Sequence, residues 1–179
     1  MSSFYTESEL ATLGLKSCGT NVLISRRSSI FSPHLVSIGD NVRIDDFCIL
    51  SGIITLHNNI HISAYTALYG AYEIEFEDFT GASPRCTIFS ATDDFSGDYL
   101  VGPIHPEHTT HLETGKVLVK KYTQIGANTV VMPNLTIGEG CAVGCMSFVN
   151  KSLDPWGIYA GIPVKRIKNR SKELLKLLY

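Results

Sequence analysis

Aliphatic side chains recur at every sixth position along two stretches of the chain, and this period predicts the fold. A six-residue period matches neither the 3.6-residue repeat of an α-helix nor the two-residue alternation of a single strand. It matches a three-sided coil of strands in which each flat side takes about six residues and the aliphatic side chain fills the interior. The first stretch consists of Ile38, Ile44, Leu50, Leu56, Ile62, Leu68 and Ile74, and the second of Val119, Ile125, Val131, Ile137, Val143 and Val149.

A slower rhythm counts the coils. Aliphatic-x-aliphatic or aliphatic-x-aromatic segments end at Ile38, Leu56, Phe76, Val119 and Ile137, which are separated by 18, 20, 43 and 18 residues. Eighteen residues make three sides of six. The 20-residue spacing therefore predicts a small bulge near residues 69–72, and the 43-residue spacing predicts a long protruding loop. With one earlier turn, the pattern predicts a stack of about six coils.

Both ends of the chain carry the pattern of a short helix. Thr6-x-x-Glu9 before Leu10 is typical of a capping box. Ser171, followed by an amphipathic segment over 172–178, predicts a second helix. We therefore expect one all-β domain over residues 1–179, with an N-terminal helical cap over 1–20, a β-helix over 21–92 and 117–165, a protruding loop over 93–116 and a C-terminal helix over 166–179.

Composition narrows the possible partners. Fifteen basic and 17 acidic side chains give the 179 residues a net charge of -2, which does not suit a protein that binds a phosphate backbone. No apolar run approaches the roughly 18 residues of a membrane span, and residues 1–9 do not resemble a signal peptide. We expect a cytoplasmic protein without a nucleic-acid or membrane partner. The five cysteines, odd in number and without a C-x-x-C pair, are expected in the core rather than in disulfides or a zinc site.

Four segments together resemble the hexapeptide-repeat acyltransferases. They are Ile-Gly-Asp-Asn-Val-Arg-Ile at 38–44, Gln-Ile-Gly-Ala-Asn-Thr-Val-Val-Met-Pro at 124–133, Thr-Ile-Gly-Glu-Gly at 136–140 and Tyr-Ala-Gly-Ile-Pro-Val-Lys at 159–165. The chain is most similar to the galactoside, maltose and streptogramin acetyltransferase group. That group includes sugar acetyltransferases of surface polysaccharide synthesis. The resemblance implies a left-handed parallel β-helix, acetyl-CoA as co-substrate, no metal, and a homotrimer with active sites between subunits.

The resemblance also implies where CoA binds. Small residues at Ala127 and Cys145 match the positions that pantetheine passes. The phosphates of CoA need cations. The polar and basic positions that match the family are Asn150, Lys151, Lys165 and Lys168, with Arg166 as an additional candidate.

On the acceptor side the chain departs from the family pattern. Counting without gaps from Leu56, the position of the family's catalytic histidine is Asp93, which is followed by Asp94. The same count places Ser63 and Ala71 where galactoside enzymes keep an asparagine and an aspartate. Tyr65 lies close to Ser63 and is a further substrate-binding candidate. These changes argue against a galactoside acceptor.

A carboxylate is a weak base for a hydroxyl group but is suited to binding an amine, which needs less activation as a nucleophile. Our hypothesis is that Asp93 or Asp94 binds the amino group of an amino sugar. The competing bases are His105 and His108, in a segment stiffened by Pro103 and Pro106, which can reach the site from a neighbouring subunit.

The leading functional expectation is N-acetylation of a nucleotide-linked amino-deoxy sugar in O-antigen or other surface polysaccharide synthesis. The alternative is an O-acetyltransferase for a sugar or a xenobiotic hydroxyl group. Two other classes have less support. One is a zinc-dependent prism of the carbonic anhydrase type, with ligands among His105, His108 and His111, and the other is a non-catalytic structural prism.

Overall fold

The computed structural model describes residues 3–178, so the predicted domain bounds at residues 1 and 179 lie outside the described part. Within these residues the helical elements are one α-helix, α1 (Glu7–Leu10), and three short 3-10 turns at Pro33–Leu35, Glu107–Thr109 and Glu173–Leu177. The strands are β1 Ser17–Cys18, β2 Leu23–Ile24, β3 Ser29–Phe31, β4 Val36–Ile38, β5 Val42–Ile44, β6 Ile49–Leu56, β7 Ile60–Ile62, β8 Ala67–Phe76, β9 Gly81–Ala82, β10 Thr87–Phe89, β11 Ala91–Asp93, β12 Leu112–Thr114, β13 Val117–Val119, β14 Gln124–Ile125, β15 Val130–Val131, β16 Leu135–Ile137, β17 Ala142–Val143, β18 Phe148–Val149, β19 Gly157–Ala160 and β20 Lys165–Asn169.

These strands form the three sides of a prism, with parallel pairing between successive coils. The first side contains β1, β4, the end of β6, the end of β8, β13 and β16. The second contains β2, β5, β7, β9, β14, β17 and β19. The third contains β3, the start of β6, the start of β8, β10, β15 and β18. We number each corner after the side that precedes it. The prediction of an all-β stack of parallel coils is confirmed. Within residues 3–178 the second side has seven strands, so the stack is about one coil taller than the predicted six.

The predicted aliphatic positions fill the prism interior. Ile38 pairs with Leu56 on the first side, Ile44 with Ile62 on the second, and Leu50 with Leu68 on the third. All thirteen residues of the two six-residue series are buried, at 4% exposure or less. The apolar surface removed from water along this axis is the main source of stability.

Small polar residues line the inside of the corners, where the backbone turns away from the ladder. The Thr123 hydroxyl donates to the Gly138 carbonyl at 2.9 Å, and the Ser147 hydroxyl donates to Gly144 at 2.7 Å. The Cys48 thiol donates to the Ser63 carbonyl at 3.2 Å. Buried hydroxyl and thiol groups therefore satisfy carbonyls that the sheets leave unpaired.

Three cysteines, Cys48, Cys86 and Cys141, lie in the core as expected, and burial raises the pKa of the Cys48 and Cys86 thiols to about 11. The expectation is wrong for Cys18 and Cys145, which are exposed. Cys145 lies on the outside of a corner, where a six-residue count does not distinguish inner from outer positions.

The first corner is a column of residues in the left-handed backbone region. Asn21, Asn41 and Asn59 adopt φ values of 53° to 59°, and their amides form a chain of hydrogen bonds, each 2.7 Å long. Further along the column, Phe79 stacks on Tyr122 with ring centroids 5.6 Å apart. Asparagine tolerates this backbone region better than most residues. Phe79 and Tyr122 show that aromatic residues also occupy the first corner.

Trp156 closes this column. Its indole N–H donates to Glu139 at 3.3 Å, and its ring lies 6.3 Å from that of Tyr122. Gly140, at φ 65°, occupies the coil between them, and a side chain there would collide with the Trp156 ring. Lys172 lies over the same ring at 5.0 Å. Trp156 therefore packs the end of the prism.

The bulge and the loop occur where the residue spacing predicts them. Gly52 pairs with Gly70 but Ile54 pairs with Ile74, which leaves two extra residues in β8. The protruding loop begins and ends in an antiparallel pair, with Asp93 of β11 opposite Leu112 of β12. Val117 then resumes the stack directly on Ile74.

The N-terminal helix is α1, which is shorter than the predicted cap over 1–20. The Thr6 and Glu9 side chains form both halves of the capping box around α1. Arg26 also donates to Glu9, and this bond, with those from Thr6, lowers the pKa of Glu9 to about 2. The coil strands begin at Ser17, before residue 21.

The predicted C-terminal helix over 166–179 is wrong in its first part. Residues Lys165–Asn169 form β20, which runs antiparallel to β19. Over residues 166–178, helical geometry is confined to the 3-10 turn at Glu173–Leu177. The open edge of β19 offers unpaired backbone groups, and the returning chain covers them. This pairing outweighs the helical tendency of the local sequence.

We predict that Gly140→Ala destabilises the protein by about 1–3 kcal/mol, because the added methyl group overpacks the Trp156 ring. In a Trp156→Ala background the collision is removed, and the cost should fall to the roughly 1 kcal/mol of the left-handed backbone alone. Urea unfolding of the four proteins in this double-mutant cycle measures both values. An equal cost in both backgrounds would contradict the packing role of Trp156.

Candidate active site

The second corner collects four of the predicted site residues. It is made of stacked three-residue segments at 25–27, 45–47, 63–65, 83–85, 126–128 and 144–146, each following a buried residue of the second side. Ser63 and Tyr65 lie on the third coil of this column, and Ala127 and Cys145 lie further along it. Acceptor and CoA candidates that are far apart in sequence therefore share one edge of the prism.

Side chains on the outside of the second corner form a second stack. The Phe47 and Tyr65 rings lie 5.0 Å apart with an interplanar angle of 23°. The Arg85 guanidinium lies over Tyr65 at 5.5 Å, and the Arg27 guanidinium lies over Phe47 at 5.9 Å. Tyr65 remains 53% exposed. This edge thus presents aromatic and cationic groups to the solvent.

A carboxylate at the same corner organises a histidine. Asp45 accepts hydrogen bonds from Arg43 and His61, each at 2.7 Å. Partial burial raises the pKa of Asp45, but the two hydrogen bonds outweigh burial and hold this pKa below its ordinary value. His61 points outward, as its position before the buried Ile62 requires.

The structure distinguishes Asp93 from Asp94. Asp93, the last residue of β11, is half-buried and accepts one hydrogen bond, from the Gly102 N–H at 3.1 Å. Asp94 accepts the Ser96 N–H at 2.6 Å in a tight turn, and bonds from Ser96 hold the pKa of Asp94 below its ordinary value. Asp94 is therefore engaged in local turn structure. Asp93 keeps acceptor capacity for a ligand.

Of the loop histidines, His111 contacts this pair through its backbone, whereas the sequence predicts His105 and His108 as the competing bases. The His111 carbonyl accepts the Asp94 N–H at 3.0 Å, and its ring lies 5.0 Å from that of Tyr99. His105 is half-buried and His108 is exposed in the 3-10 turn. Within residues 3–178, none of these rings makes a hydrogen bond to Asp93 or Asp94.

Ala71 does not join the second corner. It lies on the bulge of β8, at the third corner, where the neighbouring Tyr72 N–H donates to Ser90 Oγ at 2.8 Å. Ser90 immediately precedes β11, so Ala71 lies beside the base of the loop and Asp93. The third side separates this base from Ser63 and Tyr65, and a side of about five residues spans roughly 15 Å. One prism alone keeps the two groups of candidates apart.

The basic candidates near the C-terminus differ in availability. Lys165 and Lys168 are exposed on β20, and neither has an ion pair with another residue of the described range. Arg166 donates to Asn169 at 3.0 Å and packs on Tyr159 at 5.8 Å. Asn150 and Lys151 are exposed directly after β18. The two lysines are therefore free for an anionic ligand, while Arg166 is partly engaged.

Sequence reasoning missed Ser83. This residue occupies on the fourth coil the corner position that Ser63 occupies on the third, and its N–H donates to the Ile125 carbonyl at 2.8 Å. Its hydroxyl makes no hydrogen bond within the described range, although the residue is half-buried. The 20-residue spacing from Ser63 is the signal that could have identified it.

Comparison with known proteins assigns the chain to a family, although no protein-family model matches it. The dTDP-4-amino-4,6-dideoxy-D-glucose acyltransferase of Escherichia coli is 37% identical over 178 residues, which cover 98% of this chain and 93% of that protein. The chain belongs to the hexapeptide-repeat sugar acyltransferases. The galactoside O-acetyltransferase of Escherichia coli (strain K12) is a more distant relative, 22% identical over 159 residues that cover 83% of this chain and 72% of that enzyme.

A solved structure matches the whole prism. A serine-to-cysteine variant of AntD, an N-acyltransferase from Bacillus cereus, has been solved with dTDP-4-amino-4,6-dideoxyglucose and CoA. That structure has a TM-score of 0.97 and 51% identity, covering 99% of this chain and 95% of that chain. The predicted left-handed parallel β-helix is confirmed. AntD has also been solved with single substitutions of a serine and of an aspartate ten positions later.

Two further findings concern metal ions and membranes. Within residues 3–178 there is no group of three or more His, Cys, Asp or Glu side chains arranged to hold a metal ion. None of the helices in that range is long and apolar enough to cross a membrane.

We predict that Asp45→Asn destabilises the protein at pH 7 by about 1–3 kcal/mol, the cost of losing charge-assisted hydrogen bonds. Because the folded pKa of Asp45 is depressed, its contribution is present above the unfolded value of about 3.8 and is lost as pH falls through the lower folded value. The difference from wild type should therefore shrink between pH 5 and pH 2. Urea unfolding across this range measures it, with exposed Asp98→Asn as the control. A difference that does not change with pH would count against the ionic role.

Proposed function

We propose that the protein transfers an acyl group from CoA to the amino group of a dTDP-linked 4-amino-4,6-dideoxyhexose, forming an amide. One observation carries this proposal. A carboxylate, Asp93, replaces the histidine base in a chain 51% identical to an N-acyltransferase solved with such a sugar and CoA. A surface-polysaccharide precursor is the corresponding product class. Both substrates are cytoplasmic metabolites, which supports a cytoplasmic enzyme.

The spacing of the substituted AntD residues supports Asp93 over Asp94. In this chain Ser83 and Asp93 form the only serine–aspartate pair in which the aspartate follows ten positions after the serine. Ser83 has a free hydroxyl, and Asp93 has spare acceptor capacity. We assign the acceptor's amino group to Asp93 and a hydrogen-bonding role to Ser83.

The reaction needs little base catalysis. The neutral amine attacks the thioester carbonyl, the new C–N bond forms, and the tetrahedral intermediate collapses with cleavage of the C–S bond. The amine loses its proton, and the CoA thiolate gains one, directly or by way of the Asp93 carboxylate. Asp93 therefore holds the amine in line with the thioester.

The positions of the candidates favour a site between copies of the chain. Asp93 and Ala71 lie at the third corner, whereas Ser83, Tyr65, Ala127 and Cys145 lie at the second. The third side, about 15 Å across, separates them. A homotrimer in which the loop of one copy meets the second corner of the next brings them together. Ala127 and Cys145 then line the pantetheine path, with Lys165, Lys168, Asn150 and Lys151 towards the phosphates of CoA.

We expect the purified protein to acylate dTDP-4-amino-4,6-dideoxyglucose and to give an alkali-stable amide, because an amide resists mild base that cleaves an ester. Mass spectrometry of reactions with acetyl-CoA and with 3-hydroxybutyryl-CoA, the donor solved with AntD, identifies product and acyl group. Matched 4-hydroxy sugars are the control. An alkali-labile product on the hydroxy sugars would favour O-acyl transfer and redirect the search for a base to the loop histidines.

We expect Asp93→Asn to lower kcat/KM for the amino sugar by about 10-fold or more, the effect of losing one charge-assisted hydrogen bond. Asp94→Asn is the matched control, because asparagine preserves the turn at Ser96, and its kcat/KM should stay within about 2-fold of wild type. Steady-state kinetics of both variants measure this difference. The assignment of Asp93 is wrong if the two variants behave alike.

A further inference from the structure

Arg85 differs from every other arginine in the described residues. Five of the six arginine side chains donate hydrogen bonds to oxygen atoms of the chain. Within residues 3–178, the Arg85 side chain has no hydrogen bond and no ion pair, and its guanidinium lies over the Tyr65 ring. The engaged arginines, with their acceptors, are Arg26 with Glu9, Arg27 with Asp46, Arg43 with Asp45, Arg166 with Asn169, and Arg170 with the carbonyls of Tyr122 and Cys141.

The backbone around Arg85 is held firmly. Its N–H donates to the Ala64 carbonyl at 3.1 Å, and the carbonyl of the preceding Pro84 accepts the Asn128 N–H at 3.0 Å. The guanidinium lies 5.5 Å from the Tyr65 ring centroid, and Tyr65 is itself stacked on Phe47. A guanidinium placed over a ring keeps its in-plane N–H groups available. Arg85 is therefore a positioned cation with unused donors.

This chemistry fits a phosphate group. The planar fork of N–H donors in arginine matches two oxygens of a phosphate, and such pairs are among the stronger hydrogen bonds in proteins. Two sources of phosphate are available in the proposed reaction. One is the diphosphate of the nucleotide-linked acceptor, and the other is the set of phosphates on CoA.

The position of Arg85 favours the acceptor. Arg85 lies two residues after Ser83, at the second corner, which faces the Asp93 loop of the next copy in the proposed homotrimer. In a nucleotide-linked 4-amino sugar the diphosphate is one sugar ring away from the reacting nitrogen. In CoA the phosphates lie at the far end of the pantetheine arm. We propose that Arg85, supported by Tyr65, binds the diphosphate of the acceptor. This inference rests on the proposed function.

The same column contains a matched control. Arg27 lies over the Phe47 ring at 5.9 Å, much as Arg85 lies over Tyr65, but the Asp46 carboxylate accepts its N–H at 3.0 Å. Arg27 is therefore a stacked arginine whose charge the chain already pairs. If stacking in the column were the whole role of Arg85, the two residues would respond alike to substitution.

We expect Arg85→Ala to raise KM for dTDP-4-amino-4,6-dideoxyglucose by at least about 10-fold, because it removes charge-assisted bonds to the diphosphate. KM for acyl-CoA, and kcat/KM for the methyl glycoside of the same amino sugar, should change by less than about 2-fold. Arg27→Ala should leave all three values within the same limit. Thermal unfolding confirms that each variant is folded.

Substitution of Tyr65 tests whether its ring positions the Arg85 guanidinium. Tyr65→Leu should raise KM for the dTDP-linked sugar by less than Arg85→Ala does. Adding it to Arg85→Ala should cause no further rise, because the ring acts through the guanidinium. A full additional loss in the double variant would show that Tyr65 contacts the substrate independently.

Three outcomes would overturn the assignment of Arg85. Equal losses on the dTDP-linked sugar and the methyl glycoside would show that no diphosphate is involved. A raised KM for acyl-CoA alone would assign the cation to CoA. No change in any value would leave Arg85 without a ligand, as when a carboxylate of another copy pairs with it.

A binding measurement separates this inference from the proposed function. Isothermal titration calorimetry with dTDP needs no turnover, and Arg85→Ala should weaken dTDP binding by at least about 10-fold while Arg27→Ala does not. If the wild type binds dTDP in this Arg85-dependent way but acylates no amino sugar, the proposed function fails and the diphosphate site stands. If turnover occurs but Arg85→Ala binds dTDP as tightly as the wild type, the proposed function stands and the assignment of the diphosphate to Arg85 fails.

Discussion

The requirement that every coil return to the register of the coil below it governs the whole structure. Each backbone group on a side pairs with the coil above and the coil below, so a shift of one residue would turn an interior aliphatic residue outward. The corners must therefore turn sharply at the same place each time. This explains why residues such as Asn41, Asn59 and Asn128 share positive φ values. It also means that any side chain outside a corner is stacked on its counterparts, so that functional groups occur in columns.

The same constraint explains how the chain accommodates a long loop. Val117 pairs with Ile74, so the coil after the loop stays in register with the coil before it. Residues 77–116 therefore add only complete sides of the prism and one detour, the protruding loop. The detour leaves at the third corner, where the bulge of β8 and the antiparallel strands β11 and β12 already interrupt the regular pattern. Lys116 binds Glu73 and Glu75 at the base, at 2.8 and 2.5 Å. These pairs are partly exposed and contribute little stability. Their effect is to fix where the loop begins, and hence where Asp93 lies.

The sequence predicted most of the fold and only part of the site, for physical reasons. Burial repeats every six residues, so the sides, the bulge and the loop could be located by counting. The prediction of a C-terminal helix was wrong because residues 165–169 pair with the open edge of β19. A local sequence pattern carries no information about that edge. The preference for Asp93 over Asp94 depends on one hydrogen bond from Ser96. Ser83 was missed because positions were compared with a galactoside enzyme rather than with Ser63 in the same column.

In the proposed reaction, a carboxylate at the position of the family's histidine base changes what the loop has to do. A hydroxyl acceptor must lose its proton as it attacks, so its enzyme needs a base of suitable pKa beside the oxygen. An amine attacks with its own lone pair and needs orientation above all. The loop residue at the position of the general base can then serve to bind the amine. Asp93, a half-buried carboxylate that accepts one hydrogen bond, is suited to that role. The remaining selectivity has to come from groups that recognise the rest of the acceptor. In the proposed assignment, Arg85 and the Tyr65 ring supply such groups at the second corner, at fixed positions and without disturbing the interior of the prism.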